Sequence, residues 1–310
     1  MSDPAIHKFG GTWTEIKLAA INAYSQFFTG AIRSRFDLWY VDPFAGTGER
    51  TEIATAGGLF EGEPISEIEK TYPGSAARAL GLSPPFDHYR FGDTKPSHVA
   101  ALQELCAKFP GKDAKVIHED ANAFIQREFA SAFWTNSDFS NGSPRALVFL
   151  DPYGLEVKWK TLQCLAACQK TDVWFLANLG GAVRQLCIDH SKLDVSKRRA
   201  LGEYFGTDDW EDEFYESRNG EDIFGDLFSD RNRTANKRDV AAFHRKRLET
   251  IFKGFVSDPL PLMVGNMEDY FLLYCMSNNP SPPARALIKK GADWVINAYK
   301  QASHQKYGPL

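Results

Sequence analysis

The segment LWYVDPFAGTGER, from Leu38 to Arg50, guides the interpretation of the whole sequence. It starts with apolar and aromatic residues, reaches an aspartate at Asp42, and continues into a loop with glycines at Gly46 and Gly48. A short buried strand that leads through a glycine loop towards a helix is where an open α/β sheet binds a nucleotide-like ligand. Glycine lets the backbone approach such a ligand where a Cβ atom would collide, and the amides at the end of the loop favour a group rich in acceptors.

The spacing of these glycines differs from two common nucleotide-binding loops. Residues 42–48, DPFAGTG, have two glycines instead of the three of the dinucleotide fingerprint, and they lack the lysine of a P-loop. The segment instead resembles the first motif of class I S-adenosylmethionine (AdoMet) methyltransferases, in which D-x-F-x-G-x-G ends the first strand and wraps the amino-acid half of the cofactor. The resemblance implies that the acid and the loop after it bind the cofactor, namely Asp42, Phe44, Ala45, Gly46, Thr47 and Gly48.

The composition is that of an ordinary globular protein. The chain has 310 residues, of which 43% are hydrophobic and 25% charged, so it can form one large α/β domain with an insertion or two modest domains. The formal net charge of -4 gives no general attraction to polyanions, so any nucleic-acid contact requires a local basic patch. Neither a signal peptide nor a membrane-spanning run is evident, and the five scattered cysteines and the histidines lack metal-site spacing. We therefore expect a cytoplasmic protein with reduced thiols and no metal site.

Three further positions extend the predicted cofactor site. Lys17 lies on a predicted helix ahead of the first strand and could reach the cofactor carboxylate, although a solvated lysine is the commoner role for such a residue. Asp93 follows the second predicted strand, where it either accepts hydrogen bonds from the ribose hydroxyls or caps the next helix. The methyltransferase resemblance places Asp120, with the backbone amide of Ala121, against the adenine ring. Asn122 could instead be only a helix cap.

A second acidic turn follows the most clearly buried predicted strand, Arg145 to Leu150. It reads Asp151, Pro152, Tyr153 and Gly154. Methyltransferases that act on exocyclic or amide nitrogens carry a similar D/N-P-P-aromatic turn, whose acid or amide and carbonyl accept hydrogen bonds from the target NH₂ while the ring stacks on a flipped base. Here the second proline is missing and the aromatic residue comes one position early, as in tRNA guanine-N2 methyltransferases. The resemblance implies catalytic roles for Asp151, Pro152 and Tyr153, whereas this piece alone is equally typical of a strand-ending turn.

The rest of the sequence predicts the far edge of the sheet. Thr171 to Leu179 predicts a fifth buried strand, Leu260 to Val264 and Tyr270 to Ser277 predict an antiparallel hairpin, and Ala284 to Tyr299 predicts a closing helix. Gly58 to Pro73 is predicted to be an irregular loop.

These elements predict an α/β protein of the class I methyltransferase Rossmann-like fold. We expect a mostly parallel seven-stranded sheet with an antiparallel C-terminal hairpin and a helical insertion. The predicted division is residues 1–182 for the N-terminal part with its leading helix, 183–258 for the insertion, and 259–310 for the C-terminal hairpin and helix.

The predicted insertion would select the substrate or a partner, and it contains a basic segment. Arg231, Arg233, Lys237 and Arg238 could bind the phosphates of a nucleic acid. A solvated helix face that balances the acidic stretch from Asp208 to Glu216 is the more frequent role for such a run.

The order of the motifs is similar to that of one family. Thr12-Trp13-Thr14 through Lys17-Leu18, then YVDPFAGTGER, PGSAARAL, a strand ending in Gly-Asp, VFLDPYG, W-x-x-L and a polar hairpin resemble the three-Cys-motif partner (TcmP) family, from about Trp13 to Ala298. The resemblance implies an AdoMet-dependent methyltransferase with a companion protein that carries a three-cysteine motif, and it implies no particular substrate.

Two functions follow from the sequence. The first is an N-methyltransferase that acts on a nucleobase amine in RNA or DNA. The second is an auxiliary AdoMet-fold subunit that serves the chemistry of its partner. Asp151 distinguishes them, because an enzyme needs this side chain in the pocket, whereas a scaffold would leave it capping its own turn.

Overall fold

A computed structural model describes residues 12–56, 66–221 and 227–304, which form an α/β structure. The strands are β1 (Asp37–Asp42), β2 (Glu49–Ala56), β3 (Ser66–Pro73), β4 (His88–Asp93), β5 (Asp113–His118), β6 (Pro144–Leu150), β7 (Thr171–Ala177), β8 (Tyr215–Glu221), β9 (Leu227–Arg233), β10 (Phe255–Val256), β11 (Leu260–Val264) and β12 (Met267–Ser277). The α-helices are α1 (Thr12–Ile32), α2 (Ser75–Leu80), α3 (Pro96–Ala107), α4 (Ala121–Phe129), α5 (Ala132–Thr135), α6 (Trp159–Ala167), α7 (Leu179–Gln185), α8 (Val195–Phe205), α9 (Trp210–Phe214), α10 (Lys237–Ile251) and α11 (Pro282–His304).

The main sheet runs in the order β5-β4-β1-β6-β7-β12, with β10 and β11 both paired to β12. The first five of these strands are parallel, and β12 is antiparallel to β7. This is the class I methyltransferase arrangement, so the predicted fold class is confirmed. The predicted hairpin is β11 with β12. The sheet has eight strands among the described residues, one more than expected, because the outermost position is shared by the short strands β10 and β11.

Helices cover both faces of the sheet, which explains why its central strands are continuously apolar. Every residue of β6 and β7 is buried, as is typical of parallel strands that are covered on both sides. A hydrophobic core lies on each face of the sheet, and successive residues of β1 point into different cores. Leu38 and Tyr40 pack in the core with α1, α2, α3 and α11. Val41 packs in the core with α4, α6 and α10. The helices α8 to α10, within the predicted insertion, extend this second core.

Two antiparallel hairpins outside the main sheet were missed from the sequence. In the first, β2 pairs with β3 from Glu49 opposite Pro73 to Ala56 opposite Ser66. The irregular loop predicted for Gly58 to Pro73 is therefore wrong over residues 66–73, and residues 57–65 lie outside the described part of the chain. The alternating β-branched residues of TEIAT, after the glycine loop, were the overlooked signal for a strand. The second hairpin, β8 with β9, shows that the predicted insertion is not purely helical.

Two other expectations concern the thiols, which were predicted to be reduced, and membrane-spanning segments, of which the sequence showed none. All five cysteines are free. Cys168 is buried, and burial raises the pKa of its thiol to about 12, which keeps the thiol protonated and unreactive. Within residues 12–56, 66–221 and 227–304, no helix combines the length and apolarity that crossing a membrane requires.

Candidate active site

The parallel strands bring the predicted acidic residues to one edge of the sheet. β1 ends at Asp42 and β4 ends at Asp93, while Asp151 directly follows β6. Because β1 lies between β4 and β6, Asp42 lies between the other two acids. Asp120 follows β5, one strand further out. A row of polar groups outside the carboxyl ends of the strands is how an open α/β sheet forms a binding crevice.

The two glycines of the loop after β1 have different structural roles. Both have a positive φ angle, +60° at Gly46 and +74° at Gly48. A Cβ atom on Gly48 would lie 2.6 Å from Cδ2 of Leu105, so this glycine allows the loop to pack on α3. A Cβ atom on Gly46 would meet no atom within 4 Å, which leaves open space beside the loop for a ligand. The amide of Ala45 donates to the carbonyl of Gly92 at 3.0 Å and so anchors the loop to β4.

The other loop residues divide between core and solvent. Ala45 is buried, and Phe44 is partly buried against the core around α4 and α6. Thr47 is exposed, and its hydroxyl donates to the backbone carbonyl of Glu49. The structure therefore presents the backbone of this loop, rather than its side chains, to the crevice.

Asp42 is a fully buried acid with an unused acceptor. Its exposed fraction is 0%, and Oδ1 accepts a hydrogen bond from the Phe44 amide at 3.1 Å. Burial raises the pKa of Asp42 to about 7, the nearby Ser75 hydroxyl lowers it, and Asp151 raises it. The Phe44 amide and the Lys17 ammonium lower it by smaller amounts. Oδ2 has no hydrogen-bond partner of normal geometry among the described residues, although the Ser75 hydroxyl lies close enough to lower the pKa of this carboxyl.

Asp151 lies in a different environment, because a lysine binds it. The Lys17 ammonium is 2.5 Å from Oδ2 of Asp151, and the side chain of Asp151 is 22% exposed. Lys17 itself is 4% exposed, and its Nζ lies 5.0 Å from the centre of the Trp13 ring, one helical turn earlier on α1. The sequence predicted that Lys17 would reach the cofactor carboxylate, and the structure places its ammonium on the predicted catalytic acid.

The turn that contains Asp151 is capped by another residue. The amide of Tyr153 donates to a carboxylate oxygen of Glu156 at 3.3 Å, so Glu156 takes the capping position. Pro152 is buried, whereas Tyr153 exposes 74% of its surface beside the crevice. The side chain of Asp151 therefore points to Lys17 instead of serving its own turn.

Asp93 has both carboxylate oxygens engaged, one by the loop after β4 and the other by a side chain of α3. Oδ1 accepts from the Lys95 amide at 2.8 Å, and Oδ2 lies 3.1 Å from Nδ1 of His98. These contacts hold the turn between β4 and α3, but α3 begins after Lys95 without a side-chain capping bond, so the capping role that the sequence left open beside the ribose role is not observed.

Asp120 caps α4. Its Oδ1 accepts from the amides of Asn122 and Ala123 at 3.0 and 3.1 Å, and both bonds use this one oxygen. Ala121, whose amide was predicted to face the adenine, is buried at the first position of α4. The ribose and adenine roles stay predictions.

Asn122 connects the two halves of the site, a role that the sequence did not predict. It is buried, and its Nδ2 donates to the carbonyl of Glu156 at 2.9 Å. Its Oδ1 accepts from the Lys158 amide at 2.9 Å and from the Thr161 hydroxyl at 2.8 Å. Asn122 therefore fixes the segment after the Asp151 turn to α4.

Tyr40 is a second residue that was missed. It lies two positions before Asp42 on β1, so both side chains are on the same face of the sheet. Its buried hydroxyl has no hydrogen-bond partner among the described residues. Burial, and then the charges of Asp42 and Asp151, hold the pKa of Tyr40 well above its ordinary value. The two-residue alternation of a strand was the available signal.

The basic residues of the predicted insertion are mostly bound within the protein. Arg231 pairs with Asp212 at 2.5 Å, in the acidic stretch, and Arg233 donates to two backbone carbonyls at the end of α7. Lys237 donates to a backbone carbonyl of β12, and Arg238 is exposed. Nucleic-acid binding by this patch stays a prediction.

Comparisons with known proteins support the fold assignment, but they support no family, ligand or activity. No family model and no curated protein matches the sequence. Protein LPL1258 from Legionella pneumophila str. Philadelphia 1, a crystal structure that carries the family model DUF519, has a TM-score of 0.50 at 13% identity, over 93% of this chain and 94% of that chain. At this identity the likeness supports the fold alone, and the TcmP resemblance stays a prediction.

Two methyltransferases are more distant structural neighbours. The putative methyltransferase yhhF from Escherichia coli has a TM-score of 0.30 at 12% identity, over 69% of this chain and 86% of that chain. The plantazolicin methyltransferase BpumL, in complex with SAH, has a TM-score of 0.31 at 11% identity, over 86% and 85%. Scores this low carry no argument about ligands, so the site must be judged on its own geometry.

Proposed function

We propose that this protein is an AdoMet-dependent methyltransferase that acts on an amine nitrogen of a nucleobase in RNA or DNA. The observation that supports this proposal most is the position of the Asp151 carboxylate. It lies at the edge of the crevice, it leaves the capping of its turn to Glu156, and it accepts a hydrogen bond from a nitrogen donor. A carboxylate in this position can accept a hydrogen bond from an N–H group of a substrate.

The chain around Asp42 fits the amino-acid half of AdoMet. A buried carboxylate oxygen without a partner suits an ammonium group, and the open space at Gly46 lets a ligand approach the backbone. In this proposal the cofactor contacts are Asp42 and the loop from Phe44 to Gly48, with Asp93 at the ribose and Asp120 and the Ala121 amide at the adenine. When bound, AdoMet supplies a methyl group on a sulfonium, which is already a good leaving group.

The residues around Asp151 would position the acceptor. In this proposal the Asp151 carboxylate and the carbonyl of Pro152 accept hydrogen bonds from the acceptor NH₂, which directs the nitrogen lone pair towards the methyl group. The exposed ring of Tyr153 offers a surface on which a base can stack. Without an acceptor, Lys17 satisfies Asp151, so an acceptor that takes its place exchanges one N–H donor for another at the carboxylate and requires a new partner for the nearly buried ammonium.

The Lys17 ion pair also favours a second candidate function. In an auxiliary subunit that binds a three-Cys-motif companion, Lys17 would keep Asp151 permanently neutralised. The crevice would then hold the cofactor, or shape the partner's site, without receiving an acceptor.

Transfer of labelled methyl from AdoMet to total RNA and DNA, with and without the companion, tests the enzymatic proposal. We expect Asp151→Ala to lower transfer at least about 100-fold while AdoMet binding changes little, because positioning of the acceptor supplies the rate. The matched control is Asp293→Ala, which removes a surface acid of α11 that pairs with Lys289. Undiminished transfer in Asp151→Ala would contradict the proposal. An unmodified protein that binds AdoMet but transfers no methyl, even with its companion, would favour the auxiliary function.

A further inference from the structure

A cavity lies at the edge of the sheet where the parallel strands begin, opposite the candidate active site. Its volume is about 630 Å³, which is in the usual range for small-molecule pockets. It lies between the end of α1 and the start of α11, and exposed residues such as Ala31, Arg35 and Ser281 mark its mouth. Arg145, on its floor, is six positions before Asp151, so the cavity begins about 20 Å from the candidate active site.

The walls of the cavity are apolar and largely aromatic. Phe27 and Phe28 line it from α1, and Phe36 lines it from the segment that follows this helix. Leu287 and Ile288 line it from α11. A flat apolar ring system gains free energy when it leaves water for such a wall, and it can stack on the phenylalanine rings.

The floor contains a buried ion pair that a ligand does not reach. Arg145 and Asp172 are 4% and 2% exposed, and Nη2 of Arg145 lies 3.9 Å from Oδ1 of Asp172. Nε of Arg145 and Oδ1 of Asp172 are themselves inaccessible, and the Tyr24 hydroxyl donates to the other oxygen of Asp172 at 2.9 Å. The two charges therefore offset each other beneath the cavity, and a ligand must be recognised by the walls and the mouth.

Arg35, at the mouth, carries a charge that is not offset in this way. Its side chain is exposed, and among the described residues it makes no hydrogen bond or ion pair. Its Cζ atom lies 5.1 Å from the centre of the Phe36 ring, so the guanidinium is beside the apolar wall. Cζ of Arg145 lies 5.7 Å from the same ring. The residues that line the cavity include these two cations and one acid, Asp172, so their surplus charge is positive.

We propose that this cavity binds a small aromatic carboxylate, with its ring system against the phenylalanine side chains and its carboxylate paired with Arg35 at the mouth. A planar guanidinium can donate two parallel hydrogen bonds to a carboxylate. The corresponding neutral amide would keep the ring contacts and lose the charge interaction. The site is separate from the AdoMet crevice and does not depend on the proposed methyl transfer.

Calorimetric titration with 2-naphthylacetate and 2-naphthylacetamide tests this proposal on the unmodified protein, because the two compounds differ in charge and little in shape. We expect saturable binding of the carboxylate, and binding at least about fivefold weaker for the amide. Adenosylhomocysteine should not compete with the carboxylate. Absence of carboxylate binding, amide binding that is as tight or tighter, or competition by adenosylhomocysteine would overturn the proposal.

A variant of Arg35 assigns the preference for the carboxylate to this residue. Arg35→Gln changes an exposed side chain, so it should fold normally, bind the carboxylate no more tightly than the amide, and bind the amide as before. Arg199→Gln, which removes a 78% exposed arginine of α8, is the matched control and should keep the preference. A preference for the carboxylate that survives in Arg35→Gln would contradict the proposed ion pair.

A variant that fills the mouth locates the binding of both compounds. Ala31 is exposed there, so Ala31→Trp should fold normally and abolish the binding of carboxylate and amide alike. Ala242→Trp, at an exposed position on α10, is the control and should bind as the unmodified protein does. Binding that survives Ala31→Trp would contradict the assignment to this cavity. The Arg35→Gln comparison remains decisive if Ala31→Trp folds poorly.

Discussion

The turns after β1 and β6 each begin with an aspartate at the same edge of the sheet, yet the two acids are in opposite states. Asp42 is fully buried, half of its carboxylate is unpaired, and burial raises its pKa to about 7. Asp151 is partly exposed and bound to the Lys17 ammonium. The carboxylate of Asp42 lacks a cation, which the ammonium group of a ligand can supply. Asp151 is already bound to a cation, which a ligand must displace. An aspartate at equivalent strand ends can therefore serve the site of the methyl donor in one turn and the site of the methyl acceptor in the other.

The largest effect should come from replacing Asn122, whose side chain is hydrogen-bonded to the segment after the Asp151 turn. Asn122→Ala removes three hydrogen bonds of a buried side chain, so we expect a loss of about 2 to 4 kcal/mol in the free energy of unfolding. Methyl transfer should fall strongly, while AdoMet affinity should change less, because Asn122 makes no side-chain contact with Asp42 or the glycine loop. Urea unfolding and calorimetry measure these quantities, with Asn141→Ala at an exposed position as control. An equal loss of AdoMet affinity would show that the two turns are not separately supported.

Replacing Asp42 by asparagine should stabilise the protein in a pH-dependent way. The pKa of Asp42 in the folded protein, about 7, lies above its ordinary value of 3.8. The free energy of unfolding is therefore highest below about pH 4, where the acid is protonated in both states, and it decreases as the pH rises through 7. Asp42→Asn removes this loss and keeps an acceptor for the Phe44 amide. We expect a gain of roughly 2 to 4 kcal/mol at about pH 8 and no gain near pH 4, measured by urea unfolding at both values. A gain of the same size at both would show that the charge of Asp42 is not its cause.

A smaller effect should follow from removing the exposed ring of the second turn. Tyr153→Ala should weaken binding of the acceptor nucleic acid by about 1 to 3 kcal/mol, since one base loses its stacking surface. Tyr153→Phe should retain the affinity, and AdoMet binding should be the same in both. Fluorescence titration with a nucleic acid that the protein methylates measures the change. Weak binding by the phenylalanine variant would mean that the hydroxyl, rather than stacking, matters.

The smallest effect should come from the cation that links the two turns. Lys17 lowers the pKa of Asp42, so Lys17→Met should move the pH midpoint of AdoMet binding upward and reduce affinity a few-fold at neutral pH. Calorimetry over a pH series would detect this, with the exposed Lys289→Met as control. An unchanged midpoint would show that Lys17 acts on Asp151 alone.

The sequence predicted the elements of the fold because local patterns determine them. The apolar runs of β6 and β7 and the glycine loop after Asp42 are features of neighbouring residues, and the mostly parallel sheet with its antiparallel hairpin followed from the methyltransferase resemblance. The β2–β3 hairpin was missed because its strands pair outside the buried sheet, where no apolar run marks them.

The contacts within the site were harder to predict because they join distant positions. Lys17 meets Asp151 across 134 positions, and the partners of Asn122 are 34 to 39 positions away. Arg145 and Asp172, whose Nη2 and Oδ1 atoms lie 3.9 Å apart, appeared in the sequence only as ordinary residues of buried strands. Their pairing depends on the parallel register of β6 and β7, which sequence alone does not specify.

Calorimetric titration of AdoMet into the unmodified protein and into Asp42→Asn, at about pH 5.5 and about pH 7, tests the central claim most directly. The amino group of the ligand stays protonated over this range, while Asp42 goes from a few per cent to about half ionised, so affinity should rise by roughly fifteenfold. The asparagine variant should bind weakly at both pH values. Binding that is independent of pH, or equally tight in Asp42→Asn, would contradict the assignment of the buried acid to the cofactor.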